Sequence, residues 1–147
     1  MYINRFLKMD TEDGKQTTVT DLDFARLQQS KALLGAPGGG KTEACNEMAF
    51  QLNGQKVHAE DVVCGLFDSA PEFEDQLLII DGLDEVASEE IPKAFIKILI
   101  EIKRLGYRNW LVSCRSYEWR SAIFDPRIRT AFGETARVAH MGDLIRR

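Results

Sequence analysis

A glycine-rich loop between an apolar run and a helical segment constrains the fold of this chain more than any other feature. Residues 35–42 read GAPGGGKT and follow the apolar run KALL at residues 31–34. Glycines let the backbone wrap closely around an anion, so that several N–H groups point at the same oxygen atoms. After the loop, Cys45, Met48, Ala49 and Leu52 repeat at helical spacing. This order predicts a strand, a phosphate-binding loop and a helix.

The loop fits the pattern G-x-x-x-x-G-K-[ST], in which each position has a chemical task. Lys41 is expected to reach the β- and γ-phosphates, and Thr42 to place its hydroxyl on Mg²⁺. The alternative is a glycine-rich linker, but a linker would not lie between an apolar run and an amphipathic segment. The loop residues predicted to bind the nucleotide are Gly35, Pro37, Gly38, Gly39, Gly40, Lys41 and Thr42.

A second motif begins where an apolar run turns acidic. Residues 77–80, LLII, are typical of a strand buried on both faces, and Asp81 follows them directly. Such a strand can deliver one carboxylate to the metal of a phosphoryl-transfer site, although an Asp-Gly pair also occurs in ordinary strand-end turns. Many P-loop ATPases have a glutamate next, where this chain has Gly82. Asp84 or Glu85 could instead orient the attacking water, the alternative for each being a surface carboxylate.

Short apolar strands alternate with helices along the rest of the chain, which predicts an α/β domain with a mainly parallel sheet. The clearest helix runs from Ile91 to Leu105 and ends at Gly106. Its predicted apolar stripe consists of Ile91, Ala94, Phe95, Ile98, Leu99, Ile102 and Leu105. Residues 109–114 and 136–141 are predicted strands, and Asp125-Pro126 is predicted to open a helix. Nearer the start, residues 11–16 suit a turn, and residues 61–67 could be a helix.

The amino-acid composition limits which binding partners and which cellular compartment we expect for this protein. The net charge of -4 gives no general attraction to nucleic acid or to an anionic membrane, and no apolar run approaches a membrane span. Cys45, Cys64 and Cys114 are odd in number and lack Cys-x-x-Cys spacing. This fits a reduced, cytoplasmic protein better than a disulfide framework or a zinc site.

GAPGGGKT together with LLIIDGLDE at residues 77–85 resembles the NACHT branch of the STAND signalling NTPases, which are related to AAA+ ATPases. Ser113-Cys114-Arg115 is similar to the sensor 1 motif of that family, which implies that Arg115 meets the γ-phosphate. The resemblance covers about residues 30–141. It implies a three-layer P-loop fold with strand order 5-1-4-3-2, binding of ATP rather than GTP with Mg²⁺, and a switch in signalling or defence that oligomerises.

The resemblance also sets expectations for domains and partners. Residues 1–30 are expected to be an extension packed on the core, and residues 31–147 the P-loop core, ending before any winged-helix or sensor region. Arg120, Arg127 and Arg129 could act across a self-assembly interface, or could simply be surface charge. The expected function is slow Mg²⁺-dependent ATP hydrolysis as a switch. The alternatives are a nucleotide-dependent interaction module with negligible turnover and a general AAA+ ATPase.

Overall fold

The computed structural model describes residues 4–36 and 40–142, and within them seven strands form one sheet with helices on both faces. The strands are β1 (Phe6–Asp10), β2 (Gln16–Thr20), β3 (Ser30–Gly35), β4 (Gln55–His58), β5 (Leu77–Asp81), β6 (Asn109–Arg115) and β7 (Arg137–Met141). The helices are α1 (Asp21–Arg26), α2 (Lys41–Gln51), α3 (Ala59–Val63), α4 (Ile91–Leu105) and α5 (Ser121–Phe132). The predicted α/β class is confirmed.

The strands lie in the order β2-β1-β7-β3-β6-β5-β4. From β7 to β4 every neighbouring pair is parallel. Counted along the chain, these five strands have the order 5-1-4-3-2 that the resemblance implied. The full sheet differs from that order because β1 and β2 add an antiparallel hairpin beside β7. Leu7 and Met9 of this hairpin are buried in the same core as α1 and α2, so β1 packs on the core.

Burial explains why the central strands consist of apolar runs. Every residue of β3 and β5 is buried, because helices cover both faces of the sheet there. Helices α3, α4 and α5 cover one face, and α1 and α2 cover the other. Helix α4 buries the stripe that its sequence predicted and ends at Gly106, whose φ of 91° suits glycine. Each large side chain buried in these cores contributes about 1.5–3 kcal/mol. The fully buried members of this stripe are Ala94, Phe95, Ile98, Leu99 and Ile102, whereas Ile91 and Leu105 at its ends are partly buried.

Two predicted helix boundaries are wrong. Helix α5 begins at Ser121 rather than at Asp125, so Pro126 lies inside it. The proline removes one backbone donor, and the buried side chains of Phe124 and Ile128 hold the helix against the sheet all the same. Helix α3 covers residues 59–63 rather than 61–67, since the chain turns away at Gly65, where φ is 76°.

The hydroxyl of Thr20 accepts a hydrogen bond from the backbone N–H of Asp23 and so caps the start of α1. No helix among the described residues combines the length and apolar character that a membrane crossing requires.

Candidate functional site

The sequence-predicted site residues meet at the carboxyl ends of the parallel strands. Gly35 ends β3, Asp81 ends β5 and Arg115 ends β6, and β6 lies between the other two strands. In register, Gly35 is opposite Arg115, and Ile80 is opposite Val112. In open α/β sheets this edge is where ligands bind. The topology therefore brings together motifs that are separated by up to 80 residues in sequence.

The described part of the glycine-rich loop leads directly into α2. Gly40 is the N-cap of that helix, and its φ of 83° lies in the left-handed region that glycine tolerates best. Lys41 is the first helical residue, and its Nζ donates hydrogen bonds to the carbonyls of Gly35 (3.2 Å) and Ala36 (3.0 Å). The predicted phosphate contacts of Pro37, Gly38 and Gly39 lie outside the described residues.

The Lys41 side chain approaches Gly35 closely. A Cβ at residue 35 would lie 3.3 Å from both Cγ and Cδ of Lys41 and 3.4 Å from Cβ of Met141. A larger residue would therefore displace the lysine stem. The glycine leaves space for the stem of Lys41, whose ammonium group is held, within the described residues, by two backbone carbonyls.

Thr42 lies in the first turn of α2, and its side chain is exposed. Asp81 is buried, with 3% exposure, at the end of β5. Its Oδ1 accepts a hydrogen bond from the Ser113 hydroxyl, which in turn accepts one from the backbone N–H of Gly82 at 2.9 Å. These two linked hydrogen bonds fix the carboxylate of Asp81 at the edge of the sheet.

Lys56 is a site residue that sequence reasoning missed. It lies on β4, and its Nζ is 3.8 Å from Oδ2 of Asp81. The register explains how it reaches the carboxylate: Lys56 is paired with Ile79, and His58 with Asp81. Side chains two residues apart on a strand share a face, so the stem of Lys56 runs along the α2 face of the sheet towards Asp81. No local sequence pattern could have revealed this contact.

Asp84 and Arg115 form a pair beside Asp81. The carboxylate of Asp84 is 4% exposed and accepts a hydrogen bond from the backbone N–H of Arg115 at 3.0 Å. Its other oxygen lies 3.1 Å from Nε of Arg115, an ion-pair contact without a well-directed hydrogen bond. The Tyr117 hydroxyl accepts a hydrogen bond from the guanidinium group at 3.0 Å. That bond, with the Tyr117, Asp84 and Glu118 charges, raises the pKa of Arg115, which therefore stays cationic.

Glu85 occupies the space that Gly82 leaves open. Gly82 has a φ of 81°, and the short 3₁₀ turn Leu83–Glu85 follows it. The turn brings Glu85 back over Gly82, so that a Cβ at residue 82 would lie 3.0 Å from Oε2 of Glu85. Unlike Asp84, Glu85 is exposed. The two acids that the sequence could not tell apart therefore have different surroundings.

The two buried cysteines near the site are unreactive. Burial, with help from the Asp81 charge, raises the pKa of Cys45 far above its usual value. Burial raises the pKa of Cys114 to about 12, with Asp84 adding to the shift. The raised pKa values favour the thiol over the thiolate of both cysteines at neutral pH, which lowers their reactivity.

The three arginines of the predicted assembly region are all exposed on or beside α5. Arg120 is the N-cap residue of α5, and Arg127 and Arg129 follow within the helix. Because α5 starts just after the short turn that follows β6, Arg120 lies closest in the chain to the site edge.

The side chains near the site include few groups that could hold a metal ion. Among the described residues, no cluster of three or more His, Cys, Asp or Glu side chains could hold a metal ion. Mg²⁺ is usually held by one or two carboxylates plus substrate phosphates, rather than by an all-protein cage. One buried carboxylate at the strand end and the Thr42 hydroxyl on α2 suit that mode, in which the ion is bound together with a nucleotide.

No protein-family model matches this chain, and no curated protein matches it in sequence. Among solved structures, the chain is similar to the crystal structure of the DnaC helicase loader, with a TM-score of 0.44 and 14% sequence identity. The similarity covers 80% of this chain and 81% of that one. At that level it says nothing about what this chain binds.

Proposed function

We propose that this chain binds Mg²⁺–ATP at the carboxyl edge of its sheet and hydrolyses it slowly, as the nucleotide switch of a NACHT/STAND-like signalling or defence ATPase. The observation that carries the proposal is the convergence of Lys41, Asp81 and Arg115 on one edge of a parallel sheet with the order 5-1-4-3-2. Each of these three residues belongs to a different sequence motif. The chemistry of each side chain suits one part of a metal-bound triphosphate.

The proposed roles follow from the surroundings of each group. Lys41 leaves its two carbonyl acceptors and binds the β- and γ-phosphates, where a charged hydrogen bond to phosphate is stronger than one to a neutral carbonyl. Thr42 and Asp81 hold Mg²⁺, which neutralises charge on the phosphates when bound. Arg115 contacts the γ-phosphate, with Asp84 as the buried acceptor that positions it.

We assign the general base to Glu85 rather than to Asp84. Both oxygens of Asp84 are engaged by Arg115, so this carboxylate has little capacity left for a water molecule. Glu85 is exposed, and its carboxylate lies beside Gly82, the position of the glutamate that many P-loop ATPases place after the metal-binding aspartate. It could accept the proton of the attacking water there.

Phosphate release by the purified chain tests the enzymatic part of the proposal. We expect a rate on the order of 10⁻⁴ to 10⁻² per second, as in switches that lack an activating partner. Glu85→Gln should lower that rate about 100-fold with ATP affinity retained, since removal of a general base costs this much or more. Asp84→Asn serves as the comparison, and should weaken discrimination between ATP and ADP by loosening Arg115.

Two outcomes would count against this assignment. Turnover at several per second by the isolated chain would contradict the switch, and a rate unchanged in Glu85→Gln would remove Glu85 from the mechanism. The second candidate function, a nucleotide-dependent interaction module with negligible turnover, is favoured by Gly82, which stands where many P-loop ATPases have a glutamate. Tight ATP binding with no measurable phosphate release would select it.

A further inference from the structure

The one cation that forms an ion pair with Asp81 within the described residues is Lys56. Asp81 is 3% exposed and Lys56 is 19% exposed, so the pair is largely shielded from water. A buried carboxylate needs a compensating charge, and Lys56 supplies it in the protein without metal. Its ammonium group lies 3.8 Å from Oδ2, within ion-pair range but beyond a normal hydrogen bond.

The remaining contacts of the carboxylate are fixed by the fold. Oδ1 is held by Ser113, which is tied to the backbone of Gly82. Oδ2 is therefore the oxygen that a metal can share, and it is the oxygen that Lys56 approaches. An ammonium group and a divalent cation beside the same oxygen repel each other, so the two occupy it in turn rather than together.

We propose that Lys56 is the resident cation of Asp81, and that it suppresses divalent metal binding until a nucleotide arrives. The inference rests on the proposed function, since it concerns how the same site takes up its metal. A metal ion that binds without a nucleotide has to displace Lys56. In return it gains one carboxylate and one hydroxyl as ligands from the protein. A metal ion bound to a triphosphate brings additional negative charge, which offsets the loss of the lysine contact. Lys56 thereby makes metal binding depend on nucleotide binding.

Binding of Mn²⁺ to the nucleotide-free chain, followed by electron paramagnetic resonance of the free ion, tests this directly. Lys56→Met should bind Mn²⁺ about tenfold more tightly than the wild-type chain, because an opposite charge at this range is worth at least that factor to a carboxylate. Lys56→Arg keeps the charge and should match the wild type. The double variant of Lys56→Met and Asp81→Asn should lose the tighter Mn²⁺ binding of the single variant. That result would locate the effect of Lys56 at Asp81.

Equal Mn²⁺ affinity in Lys56→Met and the wild-type chain would overturn the proposal, and would make Lys56 a structural counter-charge only. Lys56→Gln provides a second neutral variant that keeps a polar stem, should the methionine variant fold poorly. In both neutral variants, the melting temperature should rise more on addition of Mn²⁺ than it does in the wild type. No nucleotide is present in these measurements. A failure of the wild-type chain to bind Mg²⁺–ATP would therefore contradict the proposed function separately.

Discussion

The two ends of the central strands hold their lysine side chains in different ways. At the amino ends, Lys31 is fully buried, and its Nζ donates to the carbonyls of Ala25 and Leu27 and to Oδ1 of Asn109. At the carboxyl ends, Lys41 is held by two loop carbonyls and Lys56 by one ion pair. Three donors of one ammonium group are thus satisfied at the amino ends. At the carboxyl ends, within the described residues, Lys41 makes two hydrogen bonds and Lys56 one ion pair.

This difference distinguishes a lysine whose contacts stabilise the fold from lysines that are available to contact a bound ligand. Lys31 joins the end of α1 to the start of β6, and Asn109 continues the link to the carbonyl of Asp75. Breaking this network leaves buried acceptors unpaired, which costs stability. Under the proposed function, Lys41 at the carboxyl edge exchanges its carbonyl acceptors for phosphate, and we expect this exchange to cost the fold little.

The comparison predicts its largest effect for Lys41→Ala. We expect ATP affinity to fall about 100-fold, because a charged hydrogen bond to phosphate is lost, while the melting temperature changes little. Competition against a fluorescent ATP analogue measures the affinity, and thermal unfolding measures the stability. An unchanged affinity would show that the loop around Lys41 does not bind the triphosphate.

Lys31→Met should show the reverse pattern. The variant leaves two carbonyls and the Asn109 side chain without their donor, so the free energy of unfolding should fall by about 2 kcal/mol. Nucleotide affinity should match the wild type. Urea unfolding with parallel nucleotide titration provides both values. A loss of affinity with unchanged stability would break the distinction between the two ends of the sheet.

Arg115→Ala sharpens the comparison within the carboxyl edge. Because Arg115 is proposed to contact the γ-phosphate, which ADP lacks, the preference for ATP over ADP should fall about tenfold. The affinity for ADP should change less. Titration of both nucleotides into the variant measures this. Equal losses for ATP and ADP would indicate that Arg115 acts structurally through Asp84 alone.

The smallest effect, per pH unit, is the contribution of Lys31 to the pH dependence of the free energy of unfolding. Burial lowers the pKa of Lys31 from 10.5 to about 7, with Glu134 opposing the shift. Between about pH 7 and pH 10 the unfolded chain then binds more protons than the folded chain, so the free energy of unfolding should rise with pH, by about 1 kcal/mol per unit or less.

Below pH 7 the lysine is protonated in both states and gives no slope. Urea unfolding between pH 6 and pH 9 measures the dependence, with Lys31→Met as the control that should lack the contribution. An identical slope in the two proteins would mean that Lys31 stays charged throughout, held by its three acceptors.

The sequence predicted those parts of the molecule whose signals are local. The strand that ends in Asp81, the stripe of α4 and its stop at Gly106 each depend on neighbouring residues, and all appear in the structure. The hairpin partner β2 was missed, because residues 16–20 are mostly threonine and lack a strict apolar alternation. The start of α5 was misplaced, because Asp125-Pro126 resembles a helix start although tertiary packing extends the helix backwards.

The site itself was predictable as a set of motifs but not as a set of contacts. Lys41, Asp81 and Arg115 belong to motifs with recognisable spacing. The ion pair of Lys56 with Asp81 depends on the register of β4 against β5, and the pair of Asp84 with Arg115 joins residues 31 positions apart. The different surroundings of Asp84 and Glu85 likewise follow from the turn at Gly82, where φ is 81°.

Calorimetric titration of the wild-type chain with ATP in the presence of Mg²⁺ tests the central claim most directly. The account predicts one nucleotide bound per chain, tighter binding of ATP than of ADP, and unchanged ATP affinity in Lys31→Met. In Lys41→Ala it predicts binding about 100-fold weaker. A folded wild-type chain that binds no ATP, or an identical affinity in Lys41→Ala, would contradict it.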